Sequence, residues 1–328
     1  MQNRLKDSGL LKIVVLDGYT LNPGDLSWVE LDSFGEVTFY DRTLPDQIIP
    51  RAAGCEIVIT NKTPLSRDTM RLLPSMKYIG VLATGYNVVD IPAASENGIV
   101  VTNIPAYGTQ SVAQMVFAHL LGICQRVSAH NEAVQNGEWT SKPDFCFWNH
   151  PLMELAGKTM GIVGMGRIGQ AVARIAIAME MKIIAMDPDP KMELAGENLR
   201  FAGLDELLGT SDVITLHCPL NEASRGFINR KTIALMKNGV ILINTSRGQL
   251  IVEKDLAEAL KSGKVLAAGL DVLQTEPPPD DHPLLHLPNC IITPHIAWAP
   301  REARLRLFNI AIENLRSFLA GNPVNVVS

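Results

Sequence analysis

Three residues in the second half of the chain carry side chains that can act together on a small carboxylic acid: Arg247, Glu276 and His295. Each follows a strand-like run. Arg247 comes after VILINTS, Glu276 after AAGLDVLQT and His295 after CIITP. A guanidinium grips a carboxylate through two parallel hydrogen bonds, which an ammonium does not. An imidazole exchanges a hydroxyl proton near neutral pH. A carboxylate beside it fixes the ring and favours the imidazolium. Each residue alone has a plainer reading. Arg247-Gly248 also fits a turn with a solvated guanidinium. Glu276, ahead of Pro277-Pro278-Pro279, also fits an exposed loop acid, and His295, after Pro294, a packed loop histidine. Ligands of open α/β sheets sit at the carboxyl ends of strands, where all three fall, and this favours the chemical reading. Hydride transfer between NAD and a 2-hydroxy acid needs this set.

The run KTMGIVGMGRIGQAVARIAIAMEMKIIAMD, residues 158–187, fits the remaining requirement. It reads as a strand (158–163), a GxGxxG turn (164–169), a helix (170–181), a second strand (182–186) and Asp187. Gly164 permits the tight turn, Gly166 lets the backbone approach a pyrophosphate, and Gly169 allows close helix–strand packing. The helix amino terminus offers unpaired N–H groups to the phosphates. Asp187 lies about 20 residues on, where an acid accepts from the adenosine ribose hydroxyls. A 2′-phosphate there would meet a negative charge. Neither Pro188 nor Asp189 supplies a cation, so NAD(H) is favoured over NADP(H). The alternatives are a close-packed turn without ligand and a solvated acid at a strand end.

These residues need a scaffold that presents strand ends side by side. Strand-like and helix-like runs alternate nearly throughout, the signature of α/β architecture with a largely parallel sheet. Before the glycine turn, strands are expected at 12–16, 36–40, 56–60, 78–82 and 99–102. Helices are expected near 25–34, 46–54, 66–73 and 91–97, enough for one doubly wound domain. Residues 111–124 read as a buried helix. Strands at 213–217, 240–244, 267–270 and 291–293 continue a second sheet. Residues 301–320 form an amphipathic helix with Leu305, Phe308, Ile312, Leu315 and Leu319 on its buried face. The connector 125–155 breaks the rhythm and carries Trp139, Phe145, Phe147 and Trp148. It is either a surface loop folded on its own domain or an arm against a second subunit.

A length of 328 residues fits two domains, and 47% hydrophobic content fills two interiors. A net charge of −5 argues against a nucleic-acid footprint. The longest apolar stretch, near 115–124, is broken by His119 and is too short to span a bilayer. The start, MQNRLKDSGLLK, lacks the apolar core of a secretory signal and reads as a frayed end. The five cysteines (55, 124, 146, 218 and 290) form no CxxC pair, and the seven histidines no HExxH. That argues against a disulfide framework and against a metal site, and a cytoplasmic setting is expected.

The motifs VLATGYNVVD, YGTQSVAQ, GIVGMGRIGQ, ITLHCPL, LINTSRGQLI, GLDVLQTEP and TPHIAW cover nearly the whole chain. Together they resemble the D-isomer-specific 2-hydroxyacid dehydrogenases. DFCFWNHPLMELAGKTMGIVG and HIAWAPREARLRL resemble the glycerate dehydrogenase (hydroxypyruvate reductase) branch in particular. The resemblance implies a flavodoxin-like substrate domain (1–107 and 297–328) and a Rossmann NAD domain (108–296). It implies a homodimer held by the arm 125–155. It implies that Arg247 binds the substrate carboxylate and 2-oxygen, that His295 is the acid/base, and that Glu276 is its partner. The amides of Ala83, Thr84 and Gly85 would hold the carboxylate. Thr109, Arg167, Ile168, Cys218, Pro219, Thr245 and Asp271 would line NAD with the three glycines and Asp187, Asp271 lying near the nicotinamide amide. Gln114 departs from the pattern, since many relatives carry Glu there. Glu276, where formate dehydrogenases of the superfamily carry Gln, favours a hydroxy-acid substrate. The expected reaction interconverts hydroxypyruvate and D-glycerate. A broader glyoxylate or 2-oxoacid reductase and an NADH-sensing corepressor-like protein are the rivals.

Overall fold

The computed structural model describes residues 10–328, so most of the start expected to fray lies outside the described residues. The chain forms two compact units, Met1–Gly108 with Ala299–Ser328, and Thr109–Trp298.

In the first unit β1 (Lys12–Val15), α1 (Val29–Asp32), β2 (Glu36–Phe39), α2 (Ile48–Ala52), β3 (Ile57–Thr60), α3 (Arg67–Arg71), β4 (Tyr78–Val81), α4 (Ile91–Glu96) and β5 (Val100–Thr102) follow in turn. The five strands are parallel in the order β2-β1-β3-β4-β5, the flavodoxin-like arrangement. The β3 and β4 runs IVIT and YIGV are buried along their whole length. Apolar on both faces, they suit a sheet covered on both sides. One expected helix shrinks. The run at 25–34 is helical only over Val29–Asp32. Asn22 Oδ1 accepts from the amides of Gly24 and Leu26, and its Nδ2 donates to Leu26 O. That turn uses the backbone groups a longer helix would need.

The second unit runs through α5 (Thr109–Gln125), α6 (Val127–Gln135), β6 (Thr159–Val163), α7 (Arg167–Ala178), β7 (Lys182–Met186), β8 (Leu199–Phe201) and α8 (Leu204–Thr210). It continues with β9 (Val213–Leu216), α9 (Arg230–Leu235), β10 (Val240–Asn244), α10 (Glu253–Ser262), β11 (Val265–Leu270) and β12 (Cys290–Ile292). The seven strands are parallel in the order β12-β11-β10-β9-β6-β7-β8. This is the Rossmann order, with its reversal between β6 and β9. Alternate residues feed two cores. Ile241 and Ile243 meet α5 and α7, while Val240 and Leu242 meet α8, α9 and α10. Each fully buried Ile, Leu or Val there contributes about 1.5–3 kcal/mol.

Two sequence expectations change here, and one element went unread. The helix after the glycine turn begins at Arg167, not at 170, because Gly166 itself is the N-cap. Gly169 therefore sits in its first turn. The connector 125–155 is not all loop: Arg126 adopts a left-handed conformation (φ 49°) that ends α5 and lets α6 start at once. The three-residue β8, at the sheet edge, carried too little pattern to be read.

The chain then returns to the first unit as α11 (Arg301–Leu319), which packs on β4. Phe308, Ile312 and Leu315 are buried as expected, but Leu305 is 40% exposed. The buried stripe is rotated toward Ala303, Arg304, Leu307 and Asn314. Arg304 forks onto Asp25 at 2.7 and 2.6 Å and also donates to Leu21 O. Its guanidinium holds the Asp25 carboxyl below the usual carboxylate range. Asn314 donates to Asn103 O at 2.9 Å. These bonds fix the helix rotation, and apolar spacing alone did not carry them. Among the described residues no helix is long and apolar enough to cross a membrane.

Candidate active site

The carboxyl ends of the second sheet present the candidate residues in a row. Asp187 follows β7, Gly164 follows β6, Cys218 comes just after β9, Thr245 follows β10, Asp271 follows β11, and His295 comes just after β12. The strand order makes this row continuous, with Gly164 and Cys218 at the reversal point.

Two glycines of the turn are required by packing, and the third faces open space. Gly164 has φ +98°, and a Cβ there would lie 2.6 Å from Cys218 N. At Gly169 a Cβ would lie 2.1 Å from Gly164 O. At Gly166 no atom comes within 4 Å of that position, so the space over the amino end of α7 is open. Arg167 and Ile168 form the first turn of that helix. Asp187 Oδ2 accepts from Met165 N at 2.7 Å and Oδ1 from Asp189 N at 3.0 Å, which ties the acid to the turn and leaves lone pairs over. Thr245 Oγ1 is buried and, among the described residues, has no hydrogen-bond partner. An unmade bond of this kind costs about 1–3 kcal/mol, which a ligand bonding to it offsets. Open space over Gly166, an acid with spare acceptors and an orphan hydroxyl fit a dinucleotide lying along the row. Thr109 opens α5, and the Pro219 carbonyl is held by Ser224 Oγ. Burial pushes the Cys218 thiol up to about 11 and the His217 imidazole down to about 3. Both stay neutral at pH 7.

The catalytic candidates occupy the other end of the row. His295 Nδ1 lies 2.6 Å from Glu276 Oε2, and Glu276 Oε1 accepts from Leu273 N at 3.0 Å. The carboxylate is thus held from behind while it holds the ring. Arg247 sits on the turn after β10, exposed, with Nη1 donating to Ser246 O at 2.7 Å. That turn is organised by the fully buried Asn244, whose side chain bonds Arg247 O and Ser246 N. The next residue must be glycine, since a Cβ at Gly248 would lie 2.0 Å from Leu273 C. The Arg247 turn therefore presses on the backbone that leads to Glu276.

Asp271 is fully buried and accepts from Thr293 Oγ1 (2.6 Å), Ile296 N (2.9 Å) and Ala297 N (2.8 Å). Its visible work is to hold the His295 segment, a role the sequence did not suggest. In the first unit the loop after β4 is pinned by Thr84 Oγ1 to Ile104 O and by Asn103 Nδ2 to Thr84 O, both at 2.7 Å. Among the described residues nothing accepts from the amides of Ala83, Thr84 and Gly85.

Residues 117–297 match the family model described as D-isomer specific 2-hydroxyacid dehydrogenase, NAD binding domain. The chain belongs to this family. It is 57% identical to a hydroxypyruvate reductase of Blautia hydrogenotrophica over 97% of this chain and 100% of that one. It is 39% identical to a glycerate dehydrogenase of Methylorubrum extorquens over 96% and 98%. Among solved structures, D-lactate dehydrogenase from Aquifex aeolicus complexed with NAD and lactic acid superposes with a TM-score of 0.82. That match has 27% identity and covers 97% of this chain and 100% of that one. The second unit, which contains the matched residues, is thus the NAD-binding Rossmann domain of this family. Sequence reading missed His119, Thr293 and Asn244 as parts of this edge. Their only signal was polarity inside apolar runs.

Proposed function

We propose that the protein reduces hydroxypyruvate to D-glycerate, and runs the reverse, with His295 as the acid/base. The observation that carries this reading is the 2.6 Å contact between His295 and Glu276 at the end of the NAD-binding sheet. Gly164, Gly166, Asp187, Cys218, Thr245 and Asp271 would hold NADH, which would supply the hydride. Arg247 grips the substrate carboxylate and its 2-oxygen and stabilises charge developing on that oxygen. Glu276 occupies Nδ1 of His295, so Nε2 is the nitrogen that faces substrate. In reduction Nε2–H gives its proton to the 2-oxygen, and in oxidation Nε2 takes it back. Ala83, Thr84 and Gly85 are assigned to the carboxylate from the resemblance, and their unaccepted amides suit an anion.

The same reading makes the protein a homodimer. The arm exposes Phe145 (89%), Trp148 (64%) and Trp139 (49%), the aromatic types that anchor interfaces. It is not a loose loop. Trp139 Nε1 bonds Phe145 O, Asn149 Nδ2 bonds Glu138 Oε2, and Gln125 Nε2 ties its far end to Met153 O. Such a segment presents its rings already ordered. The cysteine pattern is the ground for a cytoplasmic setting. NADH oxidation followed with a panel of 2-oxoacids tests the substrate. Hydroxypyruvate should have the highest kcat/KM. Preference for glyoxylate or pyruvate would replace that substrate, and silence across the panel would remove the enzyme reading.

A further inference from the structure

His119 is a buried histidine that the mechanism above does not use. It lies on the face of α5 toward β11, and 3% of it is exposed. Room for it comes from Gly269, where a Cβ would lie 2.7 Å from His119 Cβ. Its Nε2 is 3.0 Å from Thr293 Oγ1. Thr293 in turn is 2.6 Å from Asp271 Oδ1. Asp271 is an acceptor there, so the Thr293 hydroxyl spends its hydrogen on it and can only accept from His119. His119 is therefore protonated on Nε2. Burial lowers its basicity, so it acts as a neutral donor.

The chain of bonds leads to His295. Asp271 Oδ1 and Oδ2 hold the amides of Ile296 and Ala297, and Asp271 O accepts from His295 N at 2.8 Å. His295 has a φ of +54°, a conformation that non-glycine residues keep only where the surroundings enforce it. The bonds to Asp271 are that enforcement. Glu276 touches the ring of His295, and Asp271 holds the backbone that follows it.

We propose that His119 is a positioning residue for the proton transfer. Through Thr293 it fixes the Asp271 carboxylate, and so fixes the His295 backbone at the angle that keeps the ring against Glu276. This rests on His295 being the acid, as proposed above.

Thr293→Val keeps the shape of the side chain and removes the hydroxyl. It should lower kcat for hydroxypyruvate reduction about tenfold or more, as small misplacements of catalytic groups do. KM for NADH should stay within about threefold. The fall of kcat/KM on raising pH should begin at lower pH, because the ring loses part of its hold by Glu276. His119→Leu should do the same, and the double variant should be no worse than Thr293→Val alone, since both cut one chain. Thr293→Ser and His119→Gln, which keep the hydroxyl and the donor, should stay near the parent protein. The inference is overturned if Thr293→Val keeps both kcat and its pH profile, or if the two losses multiply. Should His119→Leu fail to fold, Thr293→Val decides alone. His295→Gln, assayed alongside, separates the two levels. If it is inactive while Thr293→Val is unaffected, only the positioning chain is wrong. If it is fully active, the acid assignment is wrong and this inference goes with it.

Discussion

Glu276 Oε2 meets His295 Nδ1 at 2.6 Å while its other oxygen is bonded to the Leu273 amide, so one carboxylate orients the imidazole and is itself oriented. Replacing His295 with Gln should lower kcat for reduction by roughly 10²–10⁴ with NADH binding nearly unchanged. Reduction consumes a proton carried by imidazolium, so its kcat/KM should fall as pH rises through the range where histidine deprotonates. Oxidation needs the neutral ring and should rise over the same window. Glu276→Gln removes the charge that favours imidazolium, so both limbs should move to lower pH. Steady-state pH profiles in the two directions check this, and a move upward would contradict the pairing.

Asp187 should govern the choice of cofactor. On the proposed reading, a 2′-phosphate beside its carboxylate would meet a negative charge. We expect kcat/KM for NADH to exceed that for NADPH at least tenfold, about 1.4 kcal/mol. Asp187→Ala should shrink the ratio. It should also weaken NADH itself, because Met165 N loses its acceptor. Parallel kinetics with both nucleotides would show this, and equal use of the two by the parent protein would remove the role.

The arm should make the protein dimeric at micromolar concentration. Sedimentation velocity should give a single species of twice the chain mass. Phe145→Asp with Trp148→Asp should shift it toward monomer. A monomeric parent protein would mean that these rings serve no stable self-association.

Acid should destabilise the fold partly through His217. Burial lowers its pKa to about 3 in the native state, against about 6.5 in an unfolded chain. Between those values the unfolded state binds the extra proton, so stability falls as pH falls through this window. The slope is up to about 1.4 kcal/mol per pH unit. His119, also lowered by burial, acts in the same direction. Urea midpoints at pH 7 and pH 5 should therefore differ less in His217→Gln than in the parent protein. An equal or larger difference in the variant would contradict this.

Most strands of the two sheets were readable in the sequence because they are short apolar runs, the central ones buried on both faces, and because GMGRIG sits between a strand and a helix. Arg247, Glu276 and His295 stood out as candidates because polar residues at strand ends interrupt such runs, and the structure brings Glu276 to His295. What could not be read was set by contacts distant in sequence. The rotation of α11 follows Arg304 and Asp25, which are 279 residues apart. The anchoring of His295 follows His119 and Thr293, 174 residues apart. The hold of Asp271 on the Ile296 and Ala297 amides could not be read either, because spacing does not reveal which amides converge on a carboxylate. The four-residue α1 reflects the bonds made by Asn22, which an amphipathic pattern does not register.

The left-handed backbone of His295 sets stability against activity at a single residue. Such a φ costs a side-chain-bearing residue about 1 kcal/mol or more, and Asn tolerates it better than most. His295→Asn should therefore melt close to the parent protein while losing proton transfer. A screen that selected for thermal tolerance alone would drift away from histidine at this position.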